Sequence, residues 1–191
     1  HLNHYGSTKF TNYLVQYLKE NYELEDHRGD ERYSYWDYES GRFHAYEGRG
    51  KFYNAVDVFE YIDIAMADEN CVVVISIENC ADYFTSEMLD RLQQWGISGT
   101  DGSLLIKDES EIVVNEDGSE EYTRFVDIGN KDVISVIRED NADALSQNIY
   151  ISGSKVDKVE SGINIVVYDR SINMLIDQVG FDAENAWGSV R

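Results

Sequence analysis

"GINIVVYDRSINMLIDQVGFDA", residues 162–183, is the stretch on which the fold of this chain turns. Two apolar runs flank a short polar break. Val and Ile dominate the first run, and Asp169–Asn173 supplies the small and polar residues of a chain reversal. The pattern predicts a β-hairpin of strands GINIVVYD and MLIDQVGF.

Working back from the hairpin, short β patterns fill the chain from residue 103: SLLIKD, EIVVN, EYTRFVDI, DVISVIR, NIYIS and KVDKV. Asp117-Gly118 and Gly153-Ser154 are turn pairs of the hairpin type. Further upstream the character changes. CVVVISI, from Cys71, is a continuous apolar run, the mark of a strand buried on both faces. A helix is predicted on each side of it. Over 54–67, Ala55, Val58, Phe59, Ile62, Ala65 and Met66 share one face, with Asn54 as N-cap and Asp57 suiting the helix dipole. Over about 85–95, Met88, Leu89, Leu92 and Trp95 point inward and Gly96 ends the helix. Residues 23–50 have no clean period and read as a long loop or linker with short ordered pieces. Residues 7–22 read as a helix with the stripe Phe10, Tyr13, Leu14, Tyr17 and Leu18, capped by Ser7 or Thr8.

Composition bounds the function. The chain has 191 residues, 42% of them apolar, enough for one good core. No run of 18 apolar residues is present, so no membrane insertion is expected. The net charge of −21 argues against binding nucleic acid, where Lys and Arg must displace counterions, and against anionic membrane surfaces. Scattered acidic residues describe a solvated, self-repelling surface. With no proline in the chain, its loops turn on Gly, Asn, Asp and Ser. Cys71 and Cys80 bracket the buried run, which holds them roughly 20 Å apart at about 3.3 Å per residue. That separation excludes a bridge between them and with it a disulfide-stapled scaffold. The opening His1-Leu2-Asn3, without Met, leads to the expectation of a processed chain or an excised piece.

Motifs that carry chemistry are sparse. HLNHY is His-x-x-His, and DHRGDE adds Asp26, His27 and Asp30, residue types that ligate zinc. Their placement before a helix and in a loop favours a polar terminus over a metal site. Arg28-Gly29-Asp30 spells an integrin-type tripeptide, which chance supplies often. The nucleophile elbow, phosphate loop, zinc helix and dinucleotide fingerprint are absent. Tyr33, Tyr35, Trp36, Tyr38, Phe43 and Tyr46 lie among carboxylates, a mixture that suits sugar faces but equally a Tyr-rich loop laid over a core.

The pieces GINIVVYD, IDQVGFDA, AVDVFEYIDIAMADENCVVVISIEN and EMLDRLQQWGIS resemble the interleukin-like EMT inducer domain. That family includes secreted signalling proteins and the stem domain of the protein O-mannose N-acetylglucosaminyltransferase. The resemblance covers about 70 of the 191 residues, in reversed order: the family's first unit falls at Gly162–Ala183 and its second at Asn54–Ser98. It looks like a circular permutation, and a fragment cut from a longer array would give the same order. It implies two sheets with helices packed on them, with Ile163–Asp169 beside Val72–Ile77. For the stem domain it also implies sugar binding through an Asp after the central strand and an Arg after the second helix. Here Asn79 stands at the Asp position and GISGTDGSLLI supplies no Arg, which puts the inherited sugar site in doubt. Asp82 and Asp101 are substitute acceptors, and Tyr83 is an aromatic that could face a sugar.

The expectation is therefore an α+β domain over 51–191, two β-sheets with packed helices, and a helix-plus-loop extension over 1–50. Its expected role is a non-catalytic, extracellular or cell-surface module that binds a glycan or protein partner through Asn79, Asp82, Tyr83 and Asp101. The alternatives are a hydrolase of cell-surface glycans or polymers and a secreted protein ligand. No motif implies a cofactor, and calcium is the cation left open by the acidic surface.

Overall fold

The computed structural model describes residues 4–27, 29–109, 111–115, 121–129, 131–140 and 145–191. The Asp117-Gly118 turn, His1, Arg28 and the side chains of His4 and Tyr46 lie outside the described residues. The chain is α+β and forms two compact units, residues 1–40 and 41–191.

The first unit holds helix α1 (His4–Asn21) and the start of helix α2 (Ser34–Asn54). Phe10, Tyr13, Leu14 and Tyr17 on α1 are exposed. A single 3-10 turn, Glu31–Tyr33, leads into α2 and is capped by the Asp30 side chain, which also clasps Arg32. The expected loop over 23–50 is thus corrected: most of it is helix. Apolar and polar residues are mixed around all sides of α2, so no stripe marks it in sequence.

In the second unit, the C-terminal part of α2 carries Phe52 into the core. Arg49 donates to the main-chain carbonyls of Leu175 and Ile176. This compact unit runs from Gly41 to Arg191. Helices α3 (Val58–Ala67) and α4 (Ser86–Gln93) flank strand β1 (Cys71–Glu78) in sequence. The N-cap of α3 is Asp57, whose carboxylate accepts from Phe59 and Glu60 N–H, while Asn54 ends α2. Thr85 caps α4 through the N–H of Met88. At the other end Gly96 sits at φ +82°, and Ile97 N–H reaches back to the Leu92 carbonyl, closing a Schellman turn.

The remaining strands are β2 (Leu104–Asp108), β3 (Glu111–Asn115), β4 (Tyr122–Gly129), β5 (Asp132–Asp140), β6 (Leu145–Ile151), β7 (Ser154–Lys155), β8 (Gly162–Asp169), β9 (Met174–Asp182) and β10 (Gly188–Val190). One sheet runs β10-β9-β8-β1-β2-β3 and the other β4-β5-β6-β7, with antiparallel pairing throughout. The hairpin of residues 162–183 is β8–β9, and β8 lies against β1 from Cys71↔Asp169 to Glu78↔Gly162. KVDKV forms a strand only at Lys155, and β10 had no sequence signal.

Every residue of β1 is buried, because both of its faces are covered. Val73, Ile75 and Ile77 pack with Phe59, Ile62 and Leu92 of the helices. Val72 and Val74 pack with Ile134, Val136 and Ile149 of the second sheet. The period-2 alternation of the strands thus sorts one apolar run into two cores. No described helix is long and apolar enough to cross a membrane.

Candidate functional site

The layer between the two sheets changes character along its length. At one end it is filled by Val72, Val74, Ile134, Val136 and Ile149. Continuing each strand by two residues on the same face brings polar groups: Ser76 and Glu78 on β1, Arg138 on β5 and Gln147 on β6, all buried. Asn164 of β8, opposite Ser76, is buried with them.

Within this polar end, the Arg138 guanidinium donates to Glu78 Oε1 at 2.6 Å, with both side chains more than nine-tenths buried. Gln147 Nε2 donates to Ser76 Oγ at 2.7 Å, and Gln147 Oε1 accepts from the Tyr122 hydroxyl. Asn164 Oδ1 accepts from the N–H groups of Lys158 and Val159, and its Nδ2 donates to the Val159 carbonyl. These bonds hold the segment after β7 against the sheet.

A cavity of about 330 Å³ opens beside this network. Glu78 and Asn79 form one wall, Ser146, Gln147 and Asn148 of β6 another, and Lys155, Asp157 and Glu160 the third. Asp157 accepts from the main-chain N–H of Ile149 through both carboxylate oxygens, at 3.1 and 3.0 Å. Burial pushes the Asp157 carboxyl up to about 6, against that hydrogen bond and the Lys155 ammonium. Burial likewise pushes Glu78 up to about 7, outweighing Arg138, and the negative charges of Asp101 and Asp157 add to the rise. The floor therefore carries two carboxyls whose affinity for protons is raised above the ordinary carboxylate range.

Of the four residues expected at a site, Asn79 and Asp101 each form hydrogen bonds at the turn after β1. Asn79 adopts φ +49°, donates from Nδ2 to the Glu160 carbonyl at 2.9 Å and lines the cavity. Asp101 Oδ1 accepts from the N–H groups of Cys80 and Ala81 at 2.8 and 3.0 Å, which makes it a brace of the turn. Asp82 and Tyr83 lie on the 3-10 turn Ala81–Tyr83, are exposed and do not line the cavity. Trp95 stacks on Phe59 at 6.4 Å, packed against the core. Glu78, Arg138, Gln147 and Asp157 were not singled out from the sequence. The available signal was a polar residue standing where an apolar, inward-facing alternation should continue: Ser76 and Glu78 after Val74, Arg138 after Val136, Gln147 before Ile149.

Among the described residues, no cluster of three or more His, Cys, Asp or Glu side chains could hold a metal ion. Both cysteines are free and buried, and burial pushes each thiol up to about 12. Compared with family models, curated proteins and solved structures, the chain matches none of them.

Proposed function

We propose that this chain is a non-catalytic, extracellular or cell-surface module that binds a glycan or protein partner in the cleft between its two sheets. The observation that carries the reading is the pre-assembled polar wall. Gln147 and Asn164 are locked by internal hydrogen bonds, Glu78 is held by Arg138 and Asp157 by Ile149. Such a wall loses little conformational freedom when a ligand arrives. Both carboxylates are engaged as acceptors inside the fold, which suits holding a ligand better than shuttling protons. The β1–β8 pairing supports reading the core as a permuted interleukin-like EMT inducer domain.

A glycan array with the whole chain, with and without calcium, tests the reading beside the variants Asn148→Ala and Asn79→Ala. Specific binding that Asn148→Ala weakens is expected. Binding indifferent to both changes removes the cleft as the site. A second reading, hydrolysis of a cell-surface polymer, is favoured by one feature: two carboxyls with raised affinity for protons border one cavity. Release of new reducing ends from a polysaccharide panel, abolished by Asp157→Asn, would favour it over simple binding.

A further inference from the structure

The cleft has an unfinished strand edge. Strand β6 pairs with β5 along one side, through Ile137↔Asn148 and Arg138↔Gln147. On its other side it meets β7 only at Tyr150 and Ile151. Beyond β7, Val156 N–H still donates to the Ile149 carbonyl, and the Asp157 carboxylate takes the Ile149 N–H. Both main-chain groups of Ile149 thus point away from β5. Main-chain direction along a strand repeats every two residues. The N–H and C=O of Gln147 therefore point the same way, into the cleft. No described residue pairs with them, although Gln147 is only 4% exposed. Buried main-chain groups rarely go without a partner, and these two face open cavity.

Three carboxylates border the cleft. Glu78 faces Arg138 and Asp157 lies 4.0 Å from the Lys155 ammonium, which leaves Glu160, exposed at the rim, as the carboxylate with no ion partner among the described residues. The whole chain carries a net charge of −21.

Resting on the proposed binding role, we infer that the occupant of the cleft is an extended, basic peptide segment that adds to β6 in line with β7. Its main chain exchanges a pair of hydrogen bonds with Gln147, and a Lys or Arg side chain reaches Glu160 at the rim. Strand addition supplies affinity through the main chain and selectivity through the side chains that alternate along it.

The test uses the whole chain and an array of acetylated hexapeptides with Lys or Arg at alternate positions, beside the same peptides with Glu there. Hits are titrated while amide exchange at Gln147 is followed by NMR. In the free chain the Gln147 amide exchanges faster than its neighbours Asn148 and Ile149, which have partners. A basic hit should slow it at least about tenfold. N-methylation of the peptide amide that faces Gln147 should weaken binding by about 3- to 10-fold, the worth of one net hydrogen bond, whereas methylation of the next amide should not. Glu160→Gln, at an exposed position, should weaken basic hits several-fold. Basic peptides that bind without protecting Gln147, or that ignore N-methylation, are adhering to an acidic surface, and the inference fails. A saccharide that protects Gln147 while no peptide binds overturns the peptide assignment and leaves the binding module standing. Silence from both ligand classes overturns the two together.

Discussion

Replacing Asp157 by Asn should reverse sign with pH. In the folded chain burial raises this carboxyl from 3.8 to about 6. The folded state therefore holds the proton more tightly than the unfolded state. Its contribution to stability is fully present below about pH 4, falls as pH climbs, and is gone above about pH 6. Moving a carboxyl from 3.8 to about 6 corresponds to about 3 kcal/mol at about 1.4 kcal/mol per pH unit. Asparagine keeps an oxygen to accept the Ile149 N–H and never ionises. Measured from just above the sequence pI of 4.3 to about pH 7.5, roughly 2 kcal/mol of the difference lies within reach. The variant should thus be equal to or less stable than the parent near pH 4.5 and more stable by about 1–2 kcal/mol near pH 7.5.

The assay is urea unfolding of both chains at five or six pH values, at constant ionic strength. Comparing the two cancels the general self-repulsion of an acidic chain, which also weakens the fold as pH rises. Parallel stability profiles would mean that Asp157 titrates normally, and the picture of a desolvated cleft floor would fall with it. A variant that stays less stable at every pH would mean that the ionised carboxylate is worth more to the Ile149 N–H than burial takes away.

Other substitutions probe the frame around the cleft. Arg138→Met leaves Glu78 buried without its partner and should cost about 3–5 kcal/mol, while the double change Glu78→Gln with Arg138→Met should cost much less, both read by denaturant midpoints. Asp101→Ala frees two main-chain donors of the turn after β1 and should lower stability by about 1–3 kcal/mol, with amide exchange at Cys80 and Ala81 speeding up. Gly162 sits at φ +147°, and a Cβ there would overlap the Phe181 carbonyl oxygen, so Gly162→Ala should destabilise the β8–β9 hairpin by more than about 2 kcal/mol in the same assay. Cys71 and Cys80, buried with thiols pushed up to about 12, should resist a thiol reagent at pH 8 until denaturant is added.

What could be read in the sequence follows from which signals are local. The β8–β9 hairpin announces itself because two apolar runs flank a polar break of five residues. β1 is legible because both faces are apolar, and α4 because Thr85 and Gly96 mark its ends. Helix α2 is not legible: its aromatic, charged and glycine residues spread around every side, and Gly41, Gly48 and Gly50 argue against a helix by propensity. The N-cap of α3 falls three residues after the one the sequence predicts, because Asn54 and Asp57 are both good caps. Only the geometry shows that Asp57 reaches two N–H groups. KVDKV has the composition of a strand, yet after Lys155 its Val156 and Val159 are half-buried in a loop held by Asn164.

The site was half legible for a related reason. Asn79 was expected because it stands at the Asp position that the resemblance implies, and Asp101 as a substitute acceptor; at the turn Asn79 donates to the Glu160 carbonyl and Asp101 accepts from Cys80 and Ala81. Glu78, Arg138, Gln147 and Asn164 come from four strands, and only strand register makes them neighbours. Taken singly, each looks like one polar residue interrupting a good strand, an error in the pattern. Two sheets packed face to face turn these interruptions into a common layer, because residues that share a face at the same depth must meet. A buried Glu–Arg pair often stabilises no more than an apolar filling of the same space. Polar residues in four strands at the same end of the layer therefore argue for a use other than stability. The uncovered edge of β6, which opens at that same end, is where such a use would lie.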